Sequence, residues 1–307
     1  MKKTALILSA LMLALLQGCG GGGDSDAPAS PEQPSPVTPD EPPALTIDND
    51  GNVSAPFTRT DFSRYMLISP RASDFGLLTD VAQADSGALL RLNVTRFSDS
   101  SATREIAGDA SYALGRWVQG TVTDLTGTQT LPGSDDRSYH YAAYNIPARF
   151  PATGDYLCAP QIATLPTRAS GTGVDTGFLG TGLCFSAGGE VEAKWGCPYD
   201  RTRFEFNDAG AHFLSGHWMY VTADHESVLV LMPDLIASPD SLATSGEFLD
   251  GGTGAAVQIT DAGDGNYAIV MAYAAKFESG ALYHGVARMS CTAFPLNPAN
   301  TSAAASP

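Results

Sequence analysis

The sequence predicts an all-β protein over residues 46–294, an antiparallel up-and-down β-barrel or a barrel-like sandwich. Three observations predict it. Hydrophobicity alternates with a period of two in Leu90-Arg91-Leu92-Asn93-Val94-Thr95, Glu190-Val191-Glu192-Ala193-Lys194-Trp195 and Arg203-Phe204-Glu205-Phe206-Asn207, which puts one face of each run in a core and the other in water. Turn chemistry separates such runs at Ala187-Gly188-Gly189, Asn207-Asp208-Ala209-Gly210 and Asp264-Gly265-Asn266. No stretch of a dozen residues carries an apolar stripe of helical period.

The elements follow in chain order. Lys2 and Lys3 precede an apolar run, Thr4–Leu16, of 13 residues, too short for a permanent membrane helix and suited to a signal peptide spanning 1–18. Leu16-Gln17-Gly18-Cys19 closes it: an aliphatic residue, a spacer, a small residue and a cysteine. This resembles the bacterial lipobox. The resemblance implies cleavage before Cys19, acylation of Cys19 with palmitate-type chains, and an outer-membrane address, since Gly20 is not the Asp that marks inner-membrane retention. Residues 19–45 hold Gly20–Gly23 and seven prolines from Pro28 to Pro43 with no aromatic residue, a composition that makes an extended tether. About 25 residues at roughly 3.1 Å each reach on the order of 75 Å when fully extended as polyproline.

All aromatic residues (13 Phe, 11 Tyr, 3 Trp) fall between Phe57 and Phe294, which marks the part that buries a core. Strands are expected at Arg64–Ile68, Leu90–Thr95, Gly115–Thr123, Ser138–Ile146, Asp155–Leu165, Phe178–Ser186, Phe213–Val221, Ser227–Met232, Ala255–Thr260, Tyr267–Ala275 and Ala281–Met289. No Pro-rich linker interrupts them, so one domain or two closely packed β halves is expected. Residues 295–307 (Pro, Ala, Ser, Thr, Asn) read as a flexible tail.

Charge narrows the partners. The chain has 17 basic and 33 acidic residues, a net charge of −16, and a chain so acidic repels the phosphates of nucleic acid. A basic partner, protein or small molecule, is favoured.

Chemistry-bearing motifs are sparse. Beyond Cys19 the cysteines are Cys158, Cys184, Cys197 and Cys291, an even number in an exported chain, which points to two disulfides. Cys158 and Cys184 are equidistant from Gly171, so a hairpin folded there pairs them and leaves Cys197 for Cys291. His212, His217 and His225 lie close in sequence with Asp224 and Glu226, but an odd spacing sets His212 and His217 on opposite faces of a strand, and His225 falls in a turn; no metal site is assigned. Ser215-Gly216-His217 lacks the geometry of a nucleophile elbow, and no catalytic residue or cofactor is assigned. Asp48–Asn52 and Asp261–Asn266 carry the Asp and Gly of calcium loops without the twelve-residue spacing, and hairpin turns are expected there. Trp117, Tyr139, Tyr141 and Tyr144 serve equally as core or as the lining of a pocket, with Tyr139 and Tyr141 on one face and Tyr144 on the other.

One stretch carries a family resemblance. Gly115-Arg116-Trp117, His140-Tyr141, Pro151-Ala152-Thr153-Gly154-Asp155-Tyr156, Pro166-Thr167 and Gly188-Gly189-Glu190-Val191 together resemble the barrel half of transferrin-binding-protein-like surface lipoproteins and of domains appended to FecR-type envelope proteins. The resemblance covers about 80 residues and implies a β-barrel on a surface lipoprotein. The chain shows no bilobal duplication, so transferrin binding does not carry over. The function expected is a binding or accessory module at the cell envelope; a lipid-anchored hydrolase and a structural envelope protein without ligand are the alternatives.

Overall fold

The computed structural model describes residues 52–99, 102–133, 137–180 and 202–294. The signal and tether segments, the Asp48–Gly51 part of the first turn, the Glu190–Trp195 run, Cys184, Cys197 and the tail lie outside the described residues.

The described elements are β-strands, apart from the 3-10 turn Phe248–Asp250 and 3-10 geometry at Ala102. Its first half forms β1 (Asn52–Val53), β2 (Ser63–Ile68), β3 (Ser73–Leu77), β4 (Val81–Gln83), β5 (Leu89–Leu92), β6 (Thr95–Phe97), β7 (Thr103–Asp109), β8 (Tyr112–Trp117), β9 (Gln119–Asp124), β10 (Gly127–Pro132) and β11 (Tyr139–Asn145). Its second half forms β12 (Gly154–Ala163), β13 (Thr167–Ser170), β14 (Phe178–Gly180), β15 (Thr202–Asn207), β16 (Gly210–Ser215), β17 (Trp218–Ala223), β18 (Glu226–Leu231), β19 (Leu235–Ile236), β20 (Ala243–Gly246), β21 (Gly254–Asp261), β22 (Tyr267–Lys276) and β23 (Leu282–Ala293).

These strands make four sheets stacked as layers. The central sheet has the order β1-β7-β8-β11-β2-β3 and a small sheet the order β10-β9-β6-β5-β4. The large sheet runs β19-β16-β15-β12-β23-β22-β21-β20, with β13 also on β23, and curls into a nearly closed barrel; β14-β17-β18 form a fourth sheet. Every pairing is antiparallel except β1 with β7. Antiparallel strands need only short turns, which the many Gly and Asn-Asp turn signals provide.

The period of two sorts the side chains between layers. On β11, Tyr139, Tyr141 and Ala143 pack toward the small sheet with Leu89, Phe97 and Trp117. Ala142, Tyr144 and Ile146 pack toward the large sheet with Ala256, Val270, Ala272 and Val286. The central sheet is thus buried on both faces, which is why Tyr139–Tyr144 reads as an apolar run rather than an alternating one. The third core fills the barrel with Tyr156, Phe204, Val257, Met271, Tyr273 and Met289. The alanines of β21 and β22 let the large and central sheets approach closely.

Three long predicted strands are each two strands. Leu90–Thr95 is the β5/β6 hairpin, with Leu92 opposite Thr95. Asn93 takes the left-handed conformation at φ 50, and its Oδ1 accepts from the backbone N–H of Thr79 (2.8 Å) and Asp80 (3.1 Å), a local role that suits Asn to a turn. Gly115–Thr123 breaks at Val118, where the chain passes from the central sheet (β8) to the small one (β9). Phe213–Val221 breaks at Gly216, φ 65, where it passes from β16 in the large sheet to β17 in the fourth. Alternation continues through such corners, so periodicity alone does not show them.

The expected pairing of Cys158 with Cys184, and with it that of Cys197 with Cys291, is corrected: Cys158 is bonded to Cys291. The hairpin centred near Gly171 does form. Gly177 N–H donates to Pro166 O (2.8 Å) and Arg168 N–H to Asp175 O (3.2 Å), and Thr167 bridges Thr176. Beyond it the strands part. β14 joins β17, while β12 runs between β15 and β23 with Cys158 opposite Cys291.

Candidate functional site

The motif residues Gly115, Arg116, Trp117, His140 and Tyr141 form a clasp at the centre of the layers. Trp117 stacks on Phe97 at 5.1 Å between ring centres, and its Nε1–H donates to Leu89 O (2.8 Å). The Tyr141 hydroxyl accepts from Leu89 N–H (3.1 Å). A Cβ on residue 115 would lie 2.4 Å from that hydroxyl oxygen, so the tyrosine reaches Leu89 only because Gly115 leaves room. Trp117, Tyr139 and Tyr141 are therefore core, and Tyr144, on the opposite face, donates to Gln258 Oε1. Burial pushes the Tyr141 and Tyr144 hydroxyls far above the ordinary tyrosine range.

Between the central and large sheets lies a polar cluster. Arg116 makes two parallel bonds to Glu105, Nε to Oε2 at 2.6 Å and Nη2 to Oε1 at 2.7 Å, with both side chains 1 % exposed. Glu105 is aimed there by a β-bulge: the register of β7 against β8 shifts between Arg104 and Ala107, and Glu105 takes φ 47. The strand β7 was not predicted, because a buried acid and a bulge both break the pattern.

His140 crosses the same interface, Nδ1 to Thr164 Oγ1 (2.7 Å) and Nε2 to Thr167 Oγ1. Thr164 donates its own proton to Val286 O (3.3 Å), so Nδ1 of His140 carries the hydrogen and Nε2 accepts from Thr167. Desolvation first, then the nearby charges of Arg116 and His284, hold His140 well below the ordinary histidine range. Desolvation lowers His284 to about 4. The unfolded chain therefore takes up protons below about pH 6.5 that the folded chain refuses. Stability is complete above that pH and falls as pH drops from 6.5 toward 4, by up to about 1.4 kcal/mol per pH unit for each histidine. Urea midpoints at pH 7.5 and 5.0 are expected to show this loss, with a shallower slope in His284→Gln; a midpoint unchanged or higher at pH 5.0 contradicts the buried neutral pair.

The remaining predicted positions are separate. His212 lies on β16 opposite Glu205. His217 sits after that strand, its Nε2 3.4 Å from Asp234 Oδ1. His225 occupies the β17/β18 turn at φ 67. Among the described residues no three His, Cys, Asp or Glu side chains are grouped to hold a metal ion. Asp261–Asn266 is the β21/β22 turn, closed by Gly263 N–H to Asp261 Oδ1 (2.8 Å).

Two of the surface depressions are lined by described residues. One, of about 440 Å³, is lined by His217, Leu229, Leu231, Asp234 and Ser245. Ser245 donates its hydroxyl proton to Leu231 O, which leaves none to pass to a histidine. The other, of about 420 Å³, lies where the two halves meet and takes Pro70, Arg71, Gln129 and Arg137 from the first and Arg168–Gly171 from the second. Sequence reasoning missed it, since its three arginines are far apart in the chain. The signal that could have found it is the scarcity of basic residues: any three that meet in a chain of net charge −16 stand out.

No protein-family description matches the chain, and neither does any curated protein. Among solved structures it is similar to two mutants, one single and one double, of the vaccine antigen Transferrin Binding Protein B from Haemophilus parasuis Hp5. Identity is 10 % and 8 %, and the TM-score 0.29 and 0.30. In both cases the match covers 76 % of this chain and 46 % of the other, so the chain spans less than half the length of those proteins.

Proposed function

We propose that this chain is a binding or accessory module of the bacterial cell envelope, held at the outer membrane by lipid on Cys19. The observation that carries the binding part is the depression at the seam of the two halves, whose wall is contributed by β10, β13 and the turn after β2. β10 edges the small sheet, β13 pairs with β23 in the large sheet and the turn follows β2 of the central sheet, so the wall is built on paired strands, which lowers the ordering cost of binding. The lipobox-like Leu16–Cys19 and the Gly/Pro-rich stretch of 19–45 support the anchored part. A tethered body searches a limited volume, and its effective concentration toward neighbouring partners rises accordingly.

Two measurements test the two parts separately. Cys19→Ser is expected to move the protein from the membrane fraction to the soluble fraction; a variant that stays with the membrane removes the lipid anchor from the proposal. The full chain, immobilised, is expected to retain a component of envelope extract or of host serum. Retention of nothing, together with turnover of an ester or peptide substrate, would instead make the protein a hydrolase.

A further inference from the structure

We propose that the open edge of β18 takes up an extended peptide of another protein as an added strand, apolar at alternate positions and carrying lysine or arginine at its ends. The site is separate from the depression at the seam of the halves and goes beyond the role proposed above. β18 pairs with β17 along one side, and its other side meets no strand among the described residues.

The register decides which backbone groups face outward. Met232 N–H donates to His217 O (2.8 Å), and opposed residues of an antiparallel pair alternate between bonded and non-bonded. Val230, Val228 and Glu226 therefore turn their N–H and C=O toward β17, while Leu231, Leu229 and Ser227 turn theirs away. Two observations agree with this. Asp224 and His225, at φ 50 and 67, make a two-residue hairpin turn that closes on the pair Ala223 and Glu226. Leu231 O accepts from the Ser245 hydroxyl of β20, which approaches from the outer side. The N–H and C=O of Ser227 and Leu229 and the N–H of Leu231 are left without a partner among the described residues.

Other edges of the fold are blunted. β10 opens on Gly127 and ends on Pro132, and β3 carries Asp74 and Gly76. β1 and β19 are two residues long and β14 is three. β18, six residues long, has no Pro, Gly, Lys or Arg and no bulge in its register, and its Leu229 and Leu231 are 40 % and 48 % exposed. An edge so unprotected is a template for a further strand, whose main chain supplies the bonds. The depression of about 440 Å³ is lined by these leucines on one side and by Thr244–Gly246 of β20 on another, so alternate side chains of an added strand lie beside the leucines. The described acids around the edge are Glu226 at its start, Asp234 beyond its end and Glu247 next to Gly246. Set against them are His217, 3.4 Å from Asp234, and Lys276, whose N–H donates to Thr253 Oγ1 (2.9 Å). The balance favours basic flanks on the incoming peptide.

The test begins with a random peptide library displayed on phage and selected on the immobilised full chain in uncharged detergent; the most enriched sequence is then synthesised and titrated. Enriched sequences are expected to alternate apolar and polar residues and to carry Lys or Arg rather than Asp or Glu. Leu229→Lys places on the edge the charge that blunts natural edges, and Leu229→Pro removes an outward N–H but no bond to β17. Each is expected to weaken binding about tenfold or more, while Leu125→Lys, the same change on the exposed β9/β10 turn, leaves it unchanged. Leu229 is exposed, so Leu229→Lys is informative even if Leu229→Pro unfolds. Hydrogen exchange over 226–231 is expected to be fast at the outward amides of the free chain and slow with the peptide bound. Outward amides already slow in the free chain overturn the proposal, as does a selection without alternation or a peptide that binds Leu229→Lys as well as the parent. Protection that appears on raising the protein concentration alone gives the edge to a second copy and overturns it too. None of these outcomes bears on the Cys19 anchor or the seam depression, whose own tests decide them.

Discussion

Arg116→Ala is expected to lower the unfolding free energy by about 3–5 kcal/mol, because it leaves the Glu105 carboxylate buried between two sheets without its counter-ion. Both side chains are 1 % exposed and share two short parallel bonds. Water therefore has no route to replace the lost partner. Arg116→Lys is expected to recover little of the loss, since an ammonium does not reproduce two parallel donors. The double variant Glu105→Leu/Arg116→Met is expected to be more stable than Arg116→Ala, as removing both charges abolishes the desolvation cost together with the attraction. Urea unfolding of the four proteins checks the series. An Arg116→Ala protein within about 1 kcal/mol of the parent, the size of an exposed pair, would place the ion pair in water.

Loss of the Cys158–Cys291 bond is expected to be of similar size. The two residues are 133 apart in sequence, and closing so long a loop in the unfolded chain corresponds to about 5 kcal/mol in the chain-entropy treatment. Cys158→Ala/Cys291→Ala, compared with the parent under oxidising conditions, measures it. Under reducing conditions the gap between the two proteins is expected to shrink sharply. Non-reducing peptide mapping is expected to recover Cys158 with Cys291, and a Cys158–Cys184 peptide would contradict the register of β12 against β23.

Particular residues show what the sequence made legible. β15, β18, β21 and β22 stand close to where alternation or a long apolar run put them, because each has at least one face in a core. The hairpin around Gly171 was also legible from its turn composition. The strand exchanges at Val118 and Gly216 were not, because a corner between two sheets keeps the period of two. β7 stayed hidden behind a bulge and a buried glutamate. The cystine pairing was misread because β12 has a remote neighbour, β23, and local symmetry about Gly171 carries no information on it. Of the motif residues, Arg116 and His140 turned out to bind the layers together. The arginine-lined depression was invisible for the same reason as the cystine, since Arg71, Arg137 and Arg168 meet only after the two halves dock.

The strand order sets a timetable for assembly. As the chain is synthesised, β12 emerges long before β23, the neighbour it shares with β13 and β22. Until that last strand arrives, the edge of β12 and the Thr164 hydroxyl, which bonds to Val286 of β23, have no lasting partner. Contacts between such distant segments form slowly, and an open edge in the interval invites pairing with other chains. The final dozen residues of β23 therefore act as a completion signal. A chain that stops short of them leaves β12 and β22 without the strand that joins them, whatever the quality of everything upstream.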